Sequence, residues 1–339
     1  MLGRIFENLL EDNKDKGAFY TPKEVVQYMC RHSLIEYLLN GVSAANERDA
    51  ISSFVETHEA ASLPAELKVS ISHKLKGVRI CDPAIGSGAF PMGLLHELFA
   101  CRRAIEDDDK ASAVSIKTDI IQNNIYGVDI EKGAVDIARL RFYLALIVDE
   151  PTPHTLPNLD YKIMQGNSLL STFNGAYVAL DDLSNKGHGM AIEMRKVRAE
   201  LNSLKEEFYH AVGDRKHQLD ILIKDSILRL VALRFEYEYE SKKSKVDTQQ
   251  LLFADANDVQ QQQQQHDKST QHTDDKKRIC ELANDLRKQL NDSSKPLAER
   301  SRIDIRLFDY HLMFAELFAD DEQAGLDLVI GNPPYFQLQ

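Results

Sequence analysis

Apolar residues recur at helical spacing through Val25, Val26, Met29, Cys30 and Leu34, so the stretch opened by Thr21-Pro22-Lys23-Glu24 reads as a helix with one packed face. Thr21 stands where a side-chain cap is favoured, Pro22 takes the first turn where its missing N–H costs nothing, and Glu24 closes a capping box. Residues 41–76 are mixed and polar with helical character. The period then changes. Val78 to Asp82 forms a short strand that enters the glycine-bearing turn Pro83-Ala84-Ile85-Gly86-Ser87-Gly88, and an amphipathic helix follows from about Ala89 to Arg103. Further strands are expected over Ile125 to Ile130, around Tyr161 to Met164 and over Leu326 to Ile330. A helix carrying Val135, Ile137, Ala138, Phe142, Ala145 and Leu146 lies between the second and the third. Four strands separated by helical segments predict an α/β fold with a Rossmann-like, doubly wound, mainly parallel sheet whose ligand loops sit at the carboxyl ends of the strands.

Between the third and fourth strands the composition shifts. Leu201, Leu204, Phe208, Leu219, Ile223, Ile227 and Leu230 recur at helical spacing within the charge-balanced stretch 191–240, which predicts a helical hairpin. Residues 241–275 lose this pattern and hold the glutamine run Gln260 to Gln265, a composition that buries too little apolar surface to offset ordering. A mobile linker is expected there, with another helix near 276–291. The chain divides on this reading into an N-terminal helical segment (1–76), an α/β core (77–172 and 303–339) and a helical insertion (173–302).

At 339 residues there is room for a full domain and an appendage. The four cysteines, Cys30, Cys81, Cys101 and Cys280, form no CxxC pair and have no histidine at metal spacing, which argues against a zinc site or a disulfide framework and fits a reducing, cytoplasmic compartment. No metal is expected. No run of about 18 apolar residues occurs, and Arg4, Glu7, Glu11 and Asp12 stand where a signal peptide would need a basic start and an apolar stretch, so no membrane partner is expected. The net charge of −12 and the pI near 5.4 oppose a nucleic-acid partner, unless a basic surface is local or lies in residues outside this chain.

Three stretches carry candidate chemistry. In Asp82-Pro83-Ala84-Ile85-Gly86-Ser87-Gly88-Ala89-Phe90, Gly86 and Gly88 permit tight turns and the following helix presents free N–H groups, as a cofactor loop requires. A dinucleotide fingerprint is a poor match, because GxGxxG is absent and the acidic residue of the next strand comes later than the ~20 residues expected. Asp129, at the end of that strand, can accept hydrogen bonds from both hydroxyls of a ribose or cap the helix that follows; a glycine loop one strand earlier favours the ribose. In Gly331-Asn332-Pro333-Pro334-Tyr335, Asn332 supplies an amide oxygen, the prolines stiffen the turn and Tyr335 offers an aromatic face. An amino group conjugated to an aromatic ring is a poor nucleophile, because its lone pair is delocalised. Asn332 and the Pro333 carbonyl could accept from both of its N–H bonds and draw the nitrogen toward tetrahedral geometry, while Tyr335 stacks on a base turned out of a duplex.

These motifs together resemble the gamma class of adenine-specific (N6) DNA methyltransferases, and within it the Eco57I-like, type IIG restriction-modification enzymes and related phage-defence methylases. GAFYTP (Gly17 to Pro22) resembles their N-terminal cofactor motif, DPAIGSGAF the first motif, YGVDI the second, GNSL the third and GNPPY the fourth, in the family's order; the FDYHLMFAELF segment is similar to one in the larger members. The likeness covers residues 1–170 and 303–339. It implies a class I methyltransferase core, here incomplete, that binds S-adenosylmethionine. Tyr20, Thr21 and Pro22 would approach the methionine end, Asp82, Pro83, Ala84, Gly86, Ser87, Gly88 and Phe90 would line the centre, and Asp129 with Ile130 would hold the ribose side. Asn167 and Ser168 would stand at the third motif, where the family often places an aspartate. Asn332, Pro333, Pro334 and Tyr335 would carry the catalysis, by direct attack of the adenine amino nitrogen on the sulfonium methyl. The chain ends four residues after Tyr335, before the family's later motifs and its target-recognition domain. The resemblance therefore implies a fragment whose double-stranded DNA partner is bound through a domain absent from these residues. No paired-acid-plus-lysine nuclease motif is evident. Protein-glutamine methylation, which also uses an NPPY turn, and a non-catalytic cofactor-binding or docking module are the alternatives.

Overall fold

A computed structural model describes residues 21–106, 113–148, 155–173, 176–177, 189–252, 277–305, 307–318 and 324–333, with the side chains of 176–177, 189–191 and 237–252 excepted. In chain order the elements are α1 (Lys23–Leu39), α2 (Ala45–Thr57), α3 (Ala65–Gly77), β1 (Ile80–Asp82), α4 (Ala89–Glu106), α5 (Ala113–Asn123), β2 (Ile125–Asp129), α6 (Lys132–Ile147), β3 (Ile163–Gln165), β4 (Thr172–Phe173), β5 (Ala176–Tyr177), α7 (Gly189–His210) and α8 (Gly213–Leu252). Then come α9 (277–290), α10 (Leu297–Arg300), α11 (Tyr310–Met313), a 3-10 turn (Ala315–Phe318) and β6 (Leu328–Val329). The chain forms two compact units, Met1–Ser168 with Asp320–Gln339, and Leu169–Ala319.

The first unit is built on a four-stranded parallel sheet in the order β3-β2-β1-β6. All three residues of β1 are buried, as expected of a strand covered on both faces by an α/β fold. From β1 the chain steps outward through β2 to β3, and β6 then returns to the opposite side of β1. That reversal makes the boundary between β1 and β6 the topological switch point of the sheet. Asn124, fully buried, donates from Nδ2 to the carbonyls of Val78 (2.7 Å) and Lys76 (3.0 Å), and so ties the end of α3 to the start of β2 at the amino ends of the strands.

Helix α1 packs on α4 through Val26 and Cys30, and Gly93 is what permits the approach: a Cβ there would lie 2.8 Å from both Cys30 Sγ and Val26 Cγ1. Glu97 of α4, 7% exposed, receives Arg31 Nη2 (3.1 Å) and faces His58 Nε2 (2.9 Å), which joins α1 and the end of α2 to the same helix. The expected capping box is absent. Pro22 is the N-cap of α1 in an extended conformation and no side chain caps the helix, since Thr21 stands one residue before the cap position. Val25, expected on the packed face, is 44% exposed, whereas Ile35, Leu38 and Leu39 join Val26, Cys30 and Leu34 in the core.

The second unit contains the predicted helical hairpin, α7 against α8, with Leu201, Phe208, Leu219, Ile223, Ile227 and Leu230 buried. Helix α8 continues to Leu252, past the point near residue 241 where the apolar pattern fades. The rest of the expected linker, including the glutamine run, lies outside the described residues. Arg287 of α9 grips Asp225 of α8 with two bonds of 3.0 and 3.2 Å. The near-buried Lys205 of α7 donates to the Leu312 carbonyl at 3.0 Å and to that of Met313, which satisfies the end of α11. Among the described residues no helix is long and apolar enough to cross a membrane.

Candidate active site

In an open parallel sheet, ligands bind outside the carboxyl ends of the strands at the switch point. The turn after β1 and the turn after β6 meet there. Strands β1 and β6 pair with Ile80 opposite Leu328 and Cys81 opposite Val329, and Ile330 N–H donates to the Cys81 carbonyl at 3.1 Å, so the two chains leave the sheet side by side. A Cβ at Gly331 would lie 2.6 Å from Asp82 Oδ1. Only glycine lets the backbone before Asn332 run this close to the carboxylate.

Asp82 ends β1 and is 1% exposed. Burial pushes its carboxyl up to about 7; the Ala84 N–H that donates to Oδ1 at 3.0 Å opposes the rise, and the Asp129 charge adds to it. Past Asp82 the loop turns at Gly86 (φ 51°) and Gly88 (φ 82°), both in the left-handed region that favours glycine. Asp129, at the end of β2, holds the start of the following helix, the alternative foreseen for it, and also the glycine loop. Its Oδ1 accepts the Glu131 N–H (2.9 Å) at the start of α6, and its Oδ2 accepts the Gly86 N–H (2.8 Å) from the glycine loop. An ionised carboxylate has about four lone-pair sites, so two remain for hydroxyl donors. The Asp129 carbonyl accepts Gly166 N–H at 2.8 Å, which brings the turn of Asn167 and Ser168 to the same end of the sheet. Ile130 is 64% exposed there, and Phe90 is buried.

Asn332 is placed beside the first helix, its Nδ2 donating to Thr21 Oγ1 at 3.3 Å. Thr21, Asp82, Gly86, Asp129 and Asn332 are thereby linked by contacts across the carboxyl ends of β2, β1 and β6. Tyr20, Pro334 and Tyr335 lie outside the described residues. A residue the sequence reading missed is Arg141 of α6, whose Nη1 donates to the Ser87 carbonyl (2.7 Å) and so ties the glycine loop to that helix. No motif marks it, since its partner is a backbone carbonyl. A separate open cavity of about 700 Å³ runs along the outer side of β6, lined by Tyr37, Asn40, Arg48, Asp327 and Val329; none of the foreseen site residues lines it. Among the described residues no cluster of three or more His, Cys, Asp or Glu is arranged to hold a metal ion.

Residues 123–339, more than half of the chain, match the family model described as Eco57I restriction-modification methylase. The chain belongs to this family. The match to the Eco57I methylase family takes in Asp129, Asn167 and the Asn332 turn, whereas the glycine loop and Thr21 lie upstream of it. Both upstream segments fall within a second likeness. Over 365 aligned residues the chain is 25% identical to a protein of Methanocaldococcus jannaschii described as a type II restriction enzyme and methyltransferase, covering all of this chain and 30% of that protein. It is also 26% identical over 143 residues to the adenine-specific methyltransferase BrxX of Escherichia coli, covering 41% of this chain and 11% of that one. The chain thus spans less than a third of the length of either relative.

Proposed function

We propose that this chain carries the donor-binding and catalytic turns of a cytoplasmic, S-adenosylmethionine-dependent methyltransferase that modifies the exocyclic amino group of adenine in double-stranded DNA, within a type IIG-like restriction-modification or phage-defence enzyme. The observation that carries the reading is the side-by-side emergence of the glycine loop and the Asn332 turn at the switch point between β1 and β6. Family membership supports methyl transfer, and the name of the Escherichia coli relative supports adenine. The residues present fit the donor. Two left-handed glycines open the loop, Asp129 keeps free lone pairs for ribose hydroxyls, and Asp82 is a buried acid that a cationic ligand would ionise.

Bound there, S-adenosylmethionine supplies a methyl group on a sulfonium, electrophilic enough for direct transfer without a metal or a covalent enzyme intermediate. The chain's part is to bind, orient and accept hydrogen bonds. Gly86 to Gly88 and Asp129 hold the nucleoside portion, and Asp82 faces positive charge. The Asn332 Oδ1 and the Pro333 carbonyl accept the two N–H bonds of the adenine amino group. Their pull localises the nitrogen lone pair, and positioning supplies the remaining rate enhancement. Tyr335 stacks on the extruded base. Asn332→Ala should lower kcat for adenine methylation by at least about 100-fold, with the donor dissociation constant from calorimetry within about twofold of wild type. Wild-type rates in that variant would refute the assigned role of the turn.

A further inference from the structure

We infer that Thr21 is a positioning residue for Asn332: by accepting a hydrogen bond from Nδ2, its hydroxyl fixes which way the carboxamide faces and presents Oδ1 to the target amino group. The inference rests on the catalytic reading above, and it gives Thr21 a duty distinct from the donor contact that the family resemblance implies. A carboxamide has two unlike ends of nearly equal size, an oxygen that only accepts and an NH2 that only donates. Against an amino group the two orientations have opposite outcomes. With Oδ1 forward the amide accepts an N–H, and with Nδ2 forward two donors collide. Something must select between them, and a freely turning side chain would spend much of its time misaligned.

The backbone of the turn is already fixed. Ile330 is bonded to Cys81, Gly331 is wedged against Asp82 with no space for a Cβ, and Asn332 precedes a proline, which restricts it to extended conformations. What remains is the side-chain torsion, and the Nδ2 to Oγ1 bond of 3.3 Å restrains it. Thr21 is itself anchored. It immediately precedes Pro22, whose carbonyl accepts Val26 N–H at 3.0 Å in the first turn of α1, and α1 is locked onto α4 through Cys30, Val26 and Gly93.

Thr21→Val removes the acceptor at nearly constant volume, and Thr21→Ser restores it. In protein labelled with 15N at asparagine side chains, with the Asn332 signal assigned by its loss in Asn332→Asp, one Nδ2 proton should be downfield and slow to exchange in wild type and Thr21→Ser. It should lose both properties in Thr21→Val. Adenine methylation should then fall by about 10- to 100-fold in kcat for Thr21→Val and recover in Thr21→Ser, with donor affinity changed by no more than about twofold. An unchanged Asn332 amide signal in Thr21→Val, or a loss confined to donor affinity, overturns the inference. If the amide responds as expected while the whole enzyme that carries this chain methylates no adenine in DNA, the functional reading fails and the orienting role of Thr21 stands.

Discussion

Asp82 is a carboxyl that would be ionised in water and is held here with a pKa of about 7, because burial at the end of β1 disfavours the charge. A folded-state value above the unfolded one means that the acid's contribution to stability is fully present below about 3.8 and is lost as pH rises through about 7. In the donor-free protein that loss amounts to roughly 4 kcal/mol at the high-pH limit. A ligand with a net positive charge reverses the preference, since it favours the ionised acid. Affinity for S-adenosylmethionine should therefore climb up to about tenfold per pH step below 7 and level off above it, with proton release near pH 6.5 seen as a dependence of calorimetric heat on buffer ionisation enthalpy. The buried Cys30 thiol, pushed up to about 12, does not titrate in this range, so Asp82→Asn should flatten the profile. A wild-type affinity that is level from pH 5.5 to 8 would contradict the assignment.

The elements of the sheet place the glycine loop by pressing on it from below. Gly127 in β2 lies under Ile85: a Cβ there would sit 2.2 Å from Ile85 Cδ1, 3.1 Å from its Cγ1 and 3.3 Å from Ile163 Cδ1. Gly127→Ala must displace the Ile85 side chain, in the loop whose Gly86 N–H reaches Asp129. We expect about tenfold weaker donor binding by calorimetry and an unfolding free energy from urea titration lowered by about 1–3 kcal/mol; unaltered affinity would mean that Ile85 moves without the loop. This contact also shows what the chain's pattern discloses and what it withholds. The parallel sheet, the loop after β1 and the strand before Asn332 were legible, because buried apolar runs ending in glycine turns are local signals. Strand limits shifted by one or two residues, with β6 shorter than Leu326 to Ile330 and β3 reaching Gln165, because pairing with the neighbouring strand decides the ends. The Gly127 contact, the Arg141 clamp and the Thr21–Asn332 bond were not legible. Each joins residues far apart in sequence, and the local capping signal at Thr21 gives no hint of its contact with Asn332.

At the scale of the molecule, the problem is a DNA-directed reading for a chain with a net charge of −12. Phosphate neutralisation by clustered lysine and arginine supplies most of non-specific affinity, and many of the described cations here are spent internally. Arg139 anchors Ile163 and Asp160, Arg141 the glycine loop, Lys205 the end of α11, and Arg287 the α8–α9 contact. On the proposed function, these internal contacts leave fewer of the described cations to face a phosphate backbone. In the two relatives the matching region is a minor part of a longer polypeptide. The 339-residue chain should therefore bind a fluorescent 20-base-pair duplex more weakly than about 100 µM at 150 mM salt, even with the donor present, and show little change in anisotropy as salt is lowered to 50 mM. Micromolar binding with a steep salt dependence would reveal a local basic surface able to engage phosphate, and would move DNA capture onto this chain itself.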